Sequence, residues 1–279
     1  MRRFGWMMVL LWVAFPAMQS LKGQDSAAFV PGFSAFVVKK GQLEYGIYSA
    51  YAAGQKVHSS LAPYHLLGKQ HVFASSFQAT YGLSAARSKV AVNAGLDIDM
   101  YLAGSRDATG DTLPRFSLRP RIRWTPLPGG WKGYDISLQH SFSVPLSGQS
   151  RSFHNQLIVA RRFPSDIILM GQVGLAFLSR GIEDDTAPTA TSLSLYAGRL
   201  YRRYWLPFAF ISRNAVQGDV PWAPDDKRYR RQDGIVGGLG LQYALASNMQ
   251  VYASLGLLLK SERGGGAHSL NFGLRSLLW

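Results

Sequence analysis

The residues of this chain with the most evident chemical capacity are arginines that share the odd-numbered positions of one short segment. They are Arg115, Arg119, Arg121 and Arg123. Guanidinium groups bind carboxylates and phosphates through charge-assisted hydrogen bonds, so a row of them attracts anions. The even-numbered positions carry Phe116, Leu118, Pro120, Ile122 and Trp124. Because side chains alternate between the two faces of a β-strand, the segment predicts a strand with one cationic and one apolar face.

The same period of two recurs along the chain and predicts about 12 antiparallel strands. The predicted ranges are 41–53, 69–81, 87–101, 115–125, 134–144, 153–162, 167–179, 189–201, 204–214, 233–244, 249–260 and 268–278. A tilted strand crosses a bilayer with about 9–11 residues, and these segments are long enough to do so. We therefore predict an all-β fold, a transmembrane antiparallel up-and-down β-barrel with an apolar exterior and a polar lumen.

The links between the predicted strands alternate in length. Long polar links cover 54–68, 102–114, 180–188, 215–232 and 261–267, and short turns cover 82–86, 163–166, 202–203 and 245–248. Bacterial outer-membrane barrels have short periplasmic turns and longer extracellular loops, so the pattern predicts this orientation. The link 126–133 departs from it, because it is a long link on the periplasmic side. A soluble β-sandwich also has many strands, but it does not require such alternation.

The N-terminal region predicts a signal peptide over residues 1–23. Arg2 and Arg3 precede an apolar run over 4–15, and small or polar residues follow. The alternative is an uncleaved anchor helix, but the run is shorter than the roughly 20 residues that span a bilayer. Residues 24–40 then form a periplasmic segment, and residues 41–279 form the barrel.

Composition excludes several classes of site and partner. The chain has no cysteine, so it has neither disulfides nor thiolate metal sites. No cofactor or metal is predicted, because Asp184–Asp185 and Asp225–Asp226 lack the ligand spacing of a calcium loop. The formal net charge of +14 falls to +11 when the three charges of Arg2, Arg3 and Lys22 leave with the signal peptide. On an exported chain this charge favours contact with lipopolysaccharide phosphates, and we predict no nucleic-acid partner.

The polar faces of the third, fourth and fifth predicted strands indicate a charged lumen. The predicted pore-lining residues are Arg115, Arg119, Arg121, Arg123, Asp97, Asp99 and Asp135. In-phase hairpins place Asp97 near Arg119, and both Asn93 and Asp135 near Arg123; Arg115 and Arg121 are then less compensated. Two interpretations stay open. The arginines form a basic wall that favours anions, or they belong to a salt-bridge network that fills a narrow interior.

A second basic cluster, Lys227, Arg228, Arg230 and Arg231, lies in the longest predicted outer loop. It predicts a surface for lipopolysaccharide phosphates or another anion, with a merely solvated loop as the alternative.

Catalysis is not predicted. Lipid-hydrolysing barrels place a serine two residues from a histidine on one strand face, so that the imidazole activates the hydroxyl. Among the six histidines, only His58 is followed at this spacing by a serine, Ser60, and both fall in a predicted loop. His140 faces lipid by the period of two.

Two short motifs resemble a known family. Lys39-Lys40-Gly41 leads into a strand with alternating Glu44 and Gly46, and Tyr81-Gly82-Leu83 follows the second strand. They resemble a group of Gram-negative outer-membrane proteins, of a type frequent in Bacteroidota, named as transporters for the meta-cleavage pathway of phenol degradation. The resemblance implies passage of small molecules. The terminal Trp279, after alternating apolar residues, resembles the signal read by the barrel-assembly machinery.

The sequence thus predicts a porin-like transporter in the bacterial outer membrane. It would pass small hydrophilic solutes, anionic ones among them. Its other partners would be outer-membrane lipid, lipopolysaccharide and, during biogenesis, the barrel-assembly machinery. The first alternative is a non-conducting structural or accessory barrel of an envelope complex, and the second is a lipid-modifying enzyme.

The predicted orientation can be tested with single cysteines, because the natural chain has none. A membrane-impermeant maleimide added to intact cells should label cysteines placed in 215–232 or 102–114. It should not label a cysteine placed in 163–166 until the outer membrane is permeabilised. Labelling of the 163–166 turn in intact cells would contradict the predicted orientation.

Overall fold

The computed structural model describes residues 38–54, 70–84, 90–103, 115–126, 134–146, 151–179, 189–201, 204–217, 231–246, 248–262 and 268–278. The predicted signal peptide and Lys227, Arg228 and Arg230 lie outside these residues. Among the described residues, no helix has the length and apolarity needed to span a bilayer.

The described residues form twelve β-strands, which confirms the predicted all-β class. The strands are β1 (Leu43–Gly54), β2 (Gln70–Gly82), β3 (Val90–Ala103), β4 (Arg115–Pro126), β5 (Tyr134–Pro145), β6 (Arg151–Arg162), β7 (Ile167–Ser179), β8 (Thr189–Arg199), β9 (Trp205–Gln217), β10 (Arg231–Ala246), β11 (Met249–Glu262) and β12 (His268–Leu278). They are long enough to cross a bilayer when tilted.

Each strand pairs antiparallel with its neighbours in sequence, and the sheet closes on itself. The closing pair joins β1 to β12, with Leu43 opposite Leu278 and Ala53 opposite His268. Closure gives every strand a hydrogen-bonding partner on both sides. This is the arrangement that a β-structure needs in hydrocarbon, where no water can satisfy an open edge.

The two faces of the barrel wall differ in polarity as the period of two predicts. On β4, Ser117, Arg119, Arg121, Arg123 and Thr125 are buried inside the barrel. Large apolar side chains are exposed on the outside of every strand, among them Ile47, Phe77, Ile98, Ile122, Leu138, Leu157, Val173, Leu195, Ile211, Leu239, Leu255 and Phe272. A continuous apolar exterior of this kind matches the lipid-facing band of transmembrane barrels.

Most of the exposed tyrosine and tryptophan side chains of the described strands lie at one end of the barrel, here called the turn end. It is the end at which residues 163–166 join β6 to β7, and the opposite end is the loop end. Exposed at the turn end are Tyr81, Trp124, Tyr201, Tyr204 and Trp205, and the ring of Trp205 lies 4.4 Å from that of Tyr243. Such rings favour the boundary between headgroups and hydrocarbon, so they mark one membrane interface.

The two motifs that resemble a known family lie against each other at the turn end. Gly41, whose φ is +82°, donates its backbone N–H to the carbonyl of Gly82 at 3.1 Å. Gly82 in turn donates to Gln42 at 3.0 Å. A Cβ at Gly82 would stand 2.1 Å from the Lys39 carbonyl oxygen, so this close approach requires glycine. The motifs therefore fix how the chain enters β1.

Apolar side chains fill part of the interior near the turn end. Ile158, Ala160 and Met170 form one buried cluster with Tyr196 packed against it. Ile168 and Leu206 form a second cluster beside Leu200. The inner wall built by β6 to β9 is therefore apolar near the turn end, while the inner wall of β3 to β5 is polar and charged.

The assignment of faces on β4 can be tested with arginine placed outside. Leu118→Arg should lower the free energy of unfolding by about 2–4 kcal/mol, because it exposes a charge to the middle of the hydrocarbon. Leu83→Arg is the matched control: Leu83 is exposed at the turn end, where the cost should be about 0–1 kcal/mol. Chemical denaturation in lipid vesicles measures both, and equal costs would contradict the assignment.

Candidate functional site: the charged lumen

The inner face of β3 and β4 carries a buried ion-pair network. Asp97 lies opposite Arg119 in the strand register, as predicted. Arg119 Nε lies 3.2 Å from Asp97 Oδ2, and Arg119 Nη2 lies 3.3 Å from Asp99 Oδ1. All three side chains are nearly buried, so each charge is held by the opposite charge rather than by bulk water.

The positive charge of Arg121 has a carboxylate partner that the sequence analysis does not predict. Its Nε lies 3.0 Å from Asp97 Oδ1, and its Nη2 donates to the hydroxyl of Thr80 on β2. The expectation that Arg121 is less compensated is therefore wrong, because Asp97 reaches two arginines at once. Gly95 lies opposite Arg121, and a Cβ there would stand 2.6 Å from Arg121 Nε. The absent side chain leaves room for the arginine to reach Asp97.

Arg123 has an amide partner in place of the expected carboxylate. It lies opposite Asn93, as predicted, and donates from Nε and Nη2 to Gln139 Oε1 at 3.1 and 2.8 Å. The expected proximity of Asp135 to Arg123 is wrong, because the β4–β5 register places Gln139 opposite Arg123. Asp135 lies further toward the turn end and is opposite Ala160 of β6. A period of two fixes the face of a residue but not the register of its hairpin.

A second buried ion pair, which the sequence analysis missed, crosses the closing seam. Arg275 of β12 donates from Nη2 to Glu44 Oε2 of β1, and both side chains are buried. The sequence places Glu44 in a motif but predicts no partner for it. The signal that could have found this pair is closure itself, because a barrel must place its first strand beside its last.

Aromatic rings line other parts of the lumen and lie over glycines. Gly273 of β12 is opposite both Tyr48 of β1 and Tyr252 of β11. The ring centroids of these tyrosines are 6.0 Å apart, and a Cβ on Gly273 would overlap the Tyr252 ring. On β8 and β9, the ring of Tyr196 stacks on that of Phe210, with the ring centroids 5.8 Å apart. The missing side chain at Gly273 lets the Tyr252 ring lie close to the barrel wall.

A cavity of about 300 Å³ lies in the lumen, between the charged inner face of β3 and β4 and the aromatic rings of β8 and β9. Arg119, Arg121 and Asp97 line one side, and Tyr196 and Phe210 line the other. Most of the remaining lining is amide, hydroxyl and imidazole, contributed by Gln78, Gln139, Ser141, His154, Gln156, Gln172, Thr191, Ser192, Ser194, Ser212, Asn214, Ser269 and Asn271. The arrangement offers hydrogen bonds of both senses and a local excess of positive charge to a small polar molecule.

Two histidines of the strands make short contacts. His154 faces the lumen, and its Nε2 lies 2.7 Å from Ser152 Oγ. The sequence analysis does not predict this pair, because here the serine precedes the histidine. Within the described strands no carboxylate contacts His154, so the pair has no orienting acid there. His140 faces outward as predicted, and its Nδ1 lies 2.7 Å from Asn155 Oδ1. The outward pair satisfies its polar groups mutually.

The remaining predicted site residues lie at strand ends or outside the described residues. Arg115 begins β4 and pairs with Tyr101 in the register. Arg231 begins β10, while the rest of its basic cluster lies outside the described residues, as do Asp184–Asp185 and Asp225–Asp226. Among the described residues, no group of three His, Asp or Glu side chains is placed to hold a metal ion.

Solved outer-membrane barrels share this fold. An outer-membrane channel from Pseudomonas putida F1 matches with a TM-score of 0.67 at 9% identity, over 90% of this chain and 100% of that chain. The β domain of the Bordetella autotransporter BrkA gives 0.52 at 16% identity, over 85% and 99%. The NanC porin gives 0.52 at 8% identity, over 84% and 98%. No protein-family model and no curated protein matches the sequence. These matches confirm the predicted outer-membrane barrel fold.

The contribution of the seam ion pair can be tested by removing one or both partners. Arg275→Met leaves the Glu44 carboxylate buried without its guanidinium, and it should lower the free energy of unfolding by about 3–5 kcal/mol. The double variant Glu44→Gln/Arg275→Met should recover most of this loss, because no lone charge remains. Urea unfolding in vesicles measures all three proteins. A double variant as unstable as Arg275→Met would show that the pair does not act as a unit.

Proposed function

We propose that this protein is an outer-membrane pore for small hydrophilic solutes, anions among them. The observation that carries the proposal is the polar cavity of about 300 Å³ inside a closed, lipid-facing barrel. A barrel that served only as a scaffold would have no need of a cavity lined by arginine, amide and hydroxyl groups. Pores select ions through the charges that line them, and arginines in the wall favour anions.

The sign of the preference follows from which charges reach the cavity. Arg119 and Arg121 both line it, whereas Asp97 is the one carboxylate among its described lining residues. Asp99 contacts Arg119 but does not line the cavity. Two guanidinium groups therefore face the cavity with one carboxylate between them. In a narrow lumen with low-dielectric walls, this excess raises the local concentration of anions.

Two buried polar groups of the described inner wall, toward the turn end from the cavity, lack hydrogen-bond partners. Buried Arg123 Nη1 and Gln242 Oε1 have no hydrogen-bond partner among the described residues. Buried polar groups are costly unless a partner or water satisfies them. These atoms therefore favour a hydrated passage beside the Glu44–Arg275 pair, which a small solute would share with water.

The second candidate is a non-conducting barrel of an envelope complex, and a specific observation favours it. The turn end is packed by the clusters around Ile158 and Leu206 and by the buried Glu44–Arg275 pair. The network then has a structural role, since buried charges are held in pairs. The transporter-family resemblance favours the pore, and the lipopolysaccharide contact of the basic loop cluster stays a proposal under either function.

Conductance distinguishes the two candidates. Purified protein in planar bilayers should form ion-conducting channels whose reversal potential in a salt gradient shows a preference for anions. The variant Arg119→Gln/Arg121→Gln should move the reversal potential toward cations, because it removes both cavity-lining guanidinium groups and leaves Asp97.

The matched control is Arg213→Gln, which also removes an arginine charge. Arg213 is half-exposed near the loop end and pairs with Asp233, outside the lumen network. It should leave the reversal potential unchanged. Absence of any conductance from folded protein would favour the scaffold. An equal shift in the control would show that the lumen arginines do not determine the ion preference.

A further inference from the structure

A groove in the lipid-facing wall carries a separate inference. It lies on the outside of β6 to β9 toward the turn end, with a volume of about 630 Å³. Outward-facing Gly171, Ala197 and Ala209 form its floor, and Leu169 and Leu195 form part of its sides. Ala197 lies opposite both Leu169 of β7 and Ala209 of β9, so the small residues are contiguous.

One charged side chain closes the turn end of this groove. Among the described residues that line the groove, Arg161 alone is charged. Its guanidinium lies between two aromatic rings, 4.7 Å from the centroid of Tyr134 and 4.6 Å from that of Phe163. Its Nη1 also donates to the Tyr134 hydroxyl at 2.8 Å. These contacts fix the guanidinium where the groove meets the aromatic belt of the turn end.

The charge of Arg161 has no carboxylate partner among the described residues. The adjacent Arg162, in contrast, lies 2.8 Å from Asp166. A second outward arginine, Arg199, lies across β7 from Arg161, with its guanidinium 5.3 Å from the ring of Tyr201. It too has no carboxylate partner in the described part of the chain. Two cations held by aromatic rings thus flank the mouth of an apolar groove.

We propose that this groove binds one glycerophospholipid of the turn-end leaflet. The phosphate would lie against Arg161, with Arg199 contributing to the local potential, and an acyl chain would lie over Gly171, Ala197 and Ala209. The charge complementarity is that of basic pockets that bind anionic headgroups at membrane interfaces. A free phosphate would not fill the groove, because it has no apolar group to cover the apolar floor.

The proposal can be tested by native mass spectrometry of the full protein in mild non-ionic detergent. Palmitoyl-oleoyl phosphatidylglycerol is titrated in, and the first bound lipid is quantified. Arg161→Gln should weaken this binding about fivefold, because it removes one cation near the headgroup. Ala197→Leu should weaken it at least as much, because its side chain fills the groove floor. Arg161→Lys should recover part of the loss by restoring the charge without the planar stacking.

Matched controls make the result specific. Arg213→Gln removes an exposed, outward arginine near the loop end, and Ala253→Leu enlarges an exposed, outward alanine of β11. Both variants should bind the lipid as the natural protein does. Equal affinity in all variants would mean general annular lipid and would overturn the proposal. Displacement of the lipid by glycerol 3-phosphate alone would mean a free-phosphate site. A stable dimer that loses lipid and dissociates on Ala197→Leu would make the groove an interface between copies.

Discussion

Hydrogen bonding in a solvent that offers no partners is the constraint on which the rest of this structure depends. Each strand needs two neighbours, so β1 must pair with β12, and the pairing extends from Leu43 with Leu278 to Ala53 with His268. Closure in turn creates an interior that lipid cannot reach. Polar and charged side chains of the inner face are stable only in that compartment. The ion pairs, the cavity and the apolar groove are all consequences of a closed wall with two unlike faces.

The interior is stabilised by distributed charge pairing. Asp97 contacts both Arg119 and Arg121, Arg119 also reaches Asp99, and Glu44 contacts Arg275. The same network therefore supports the wall and gives the cavity its electrostatic character. Local geometry decides which charges line the cavity, because Asp99 pairs with Arg119 away from it while Arg119, Arg121 and Asp97 line it. The charges of the described inner wall are thus nearly balanced, while the cavity itself is lined by two arginines and one carboxylate.

The sequence predicted the strands and their faces where inner and outer residues differ in polarity. On β3 and β4, Asp97 and Arg119 alternate with Ile98 and Leu118, and both face and register follow. The β4–β5 register does not follow, because a period of two allows Asp135 or Gln139 to face Arg123. On β6 and β9 the inner residues Ile158 and Leu206 are apolar, so polarity does not distinguish the faces there. The seam pair is non-local and invisible to any pattern within one segment.

The seam also determines when this chain can become a membrane protein. Glu44 and Arg275, which meet across it, are separated by 231 positions. Contacts of such long range form late and slowly, because most of the loop entropy must be lost before they are made. Until β12 has been synthesised, a nascent chain has two unpaired strand edges and no enclosed lumen for its arginines. Insertion into the membrane therefore requires all twelve described strands. A chain truncated before β12 would stay outside the membrane as an aggregation-prone precursor.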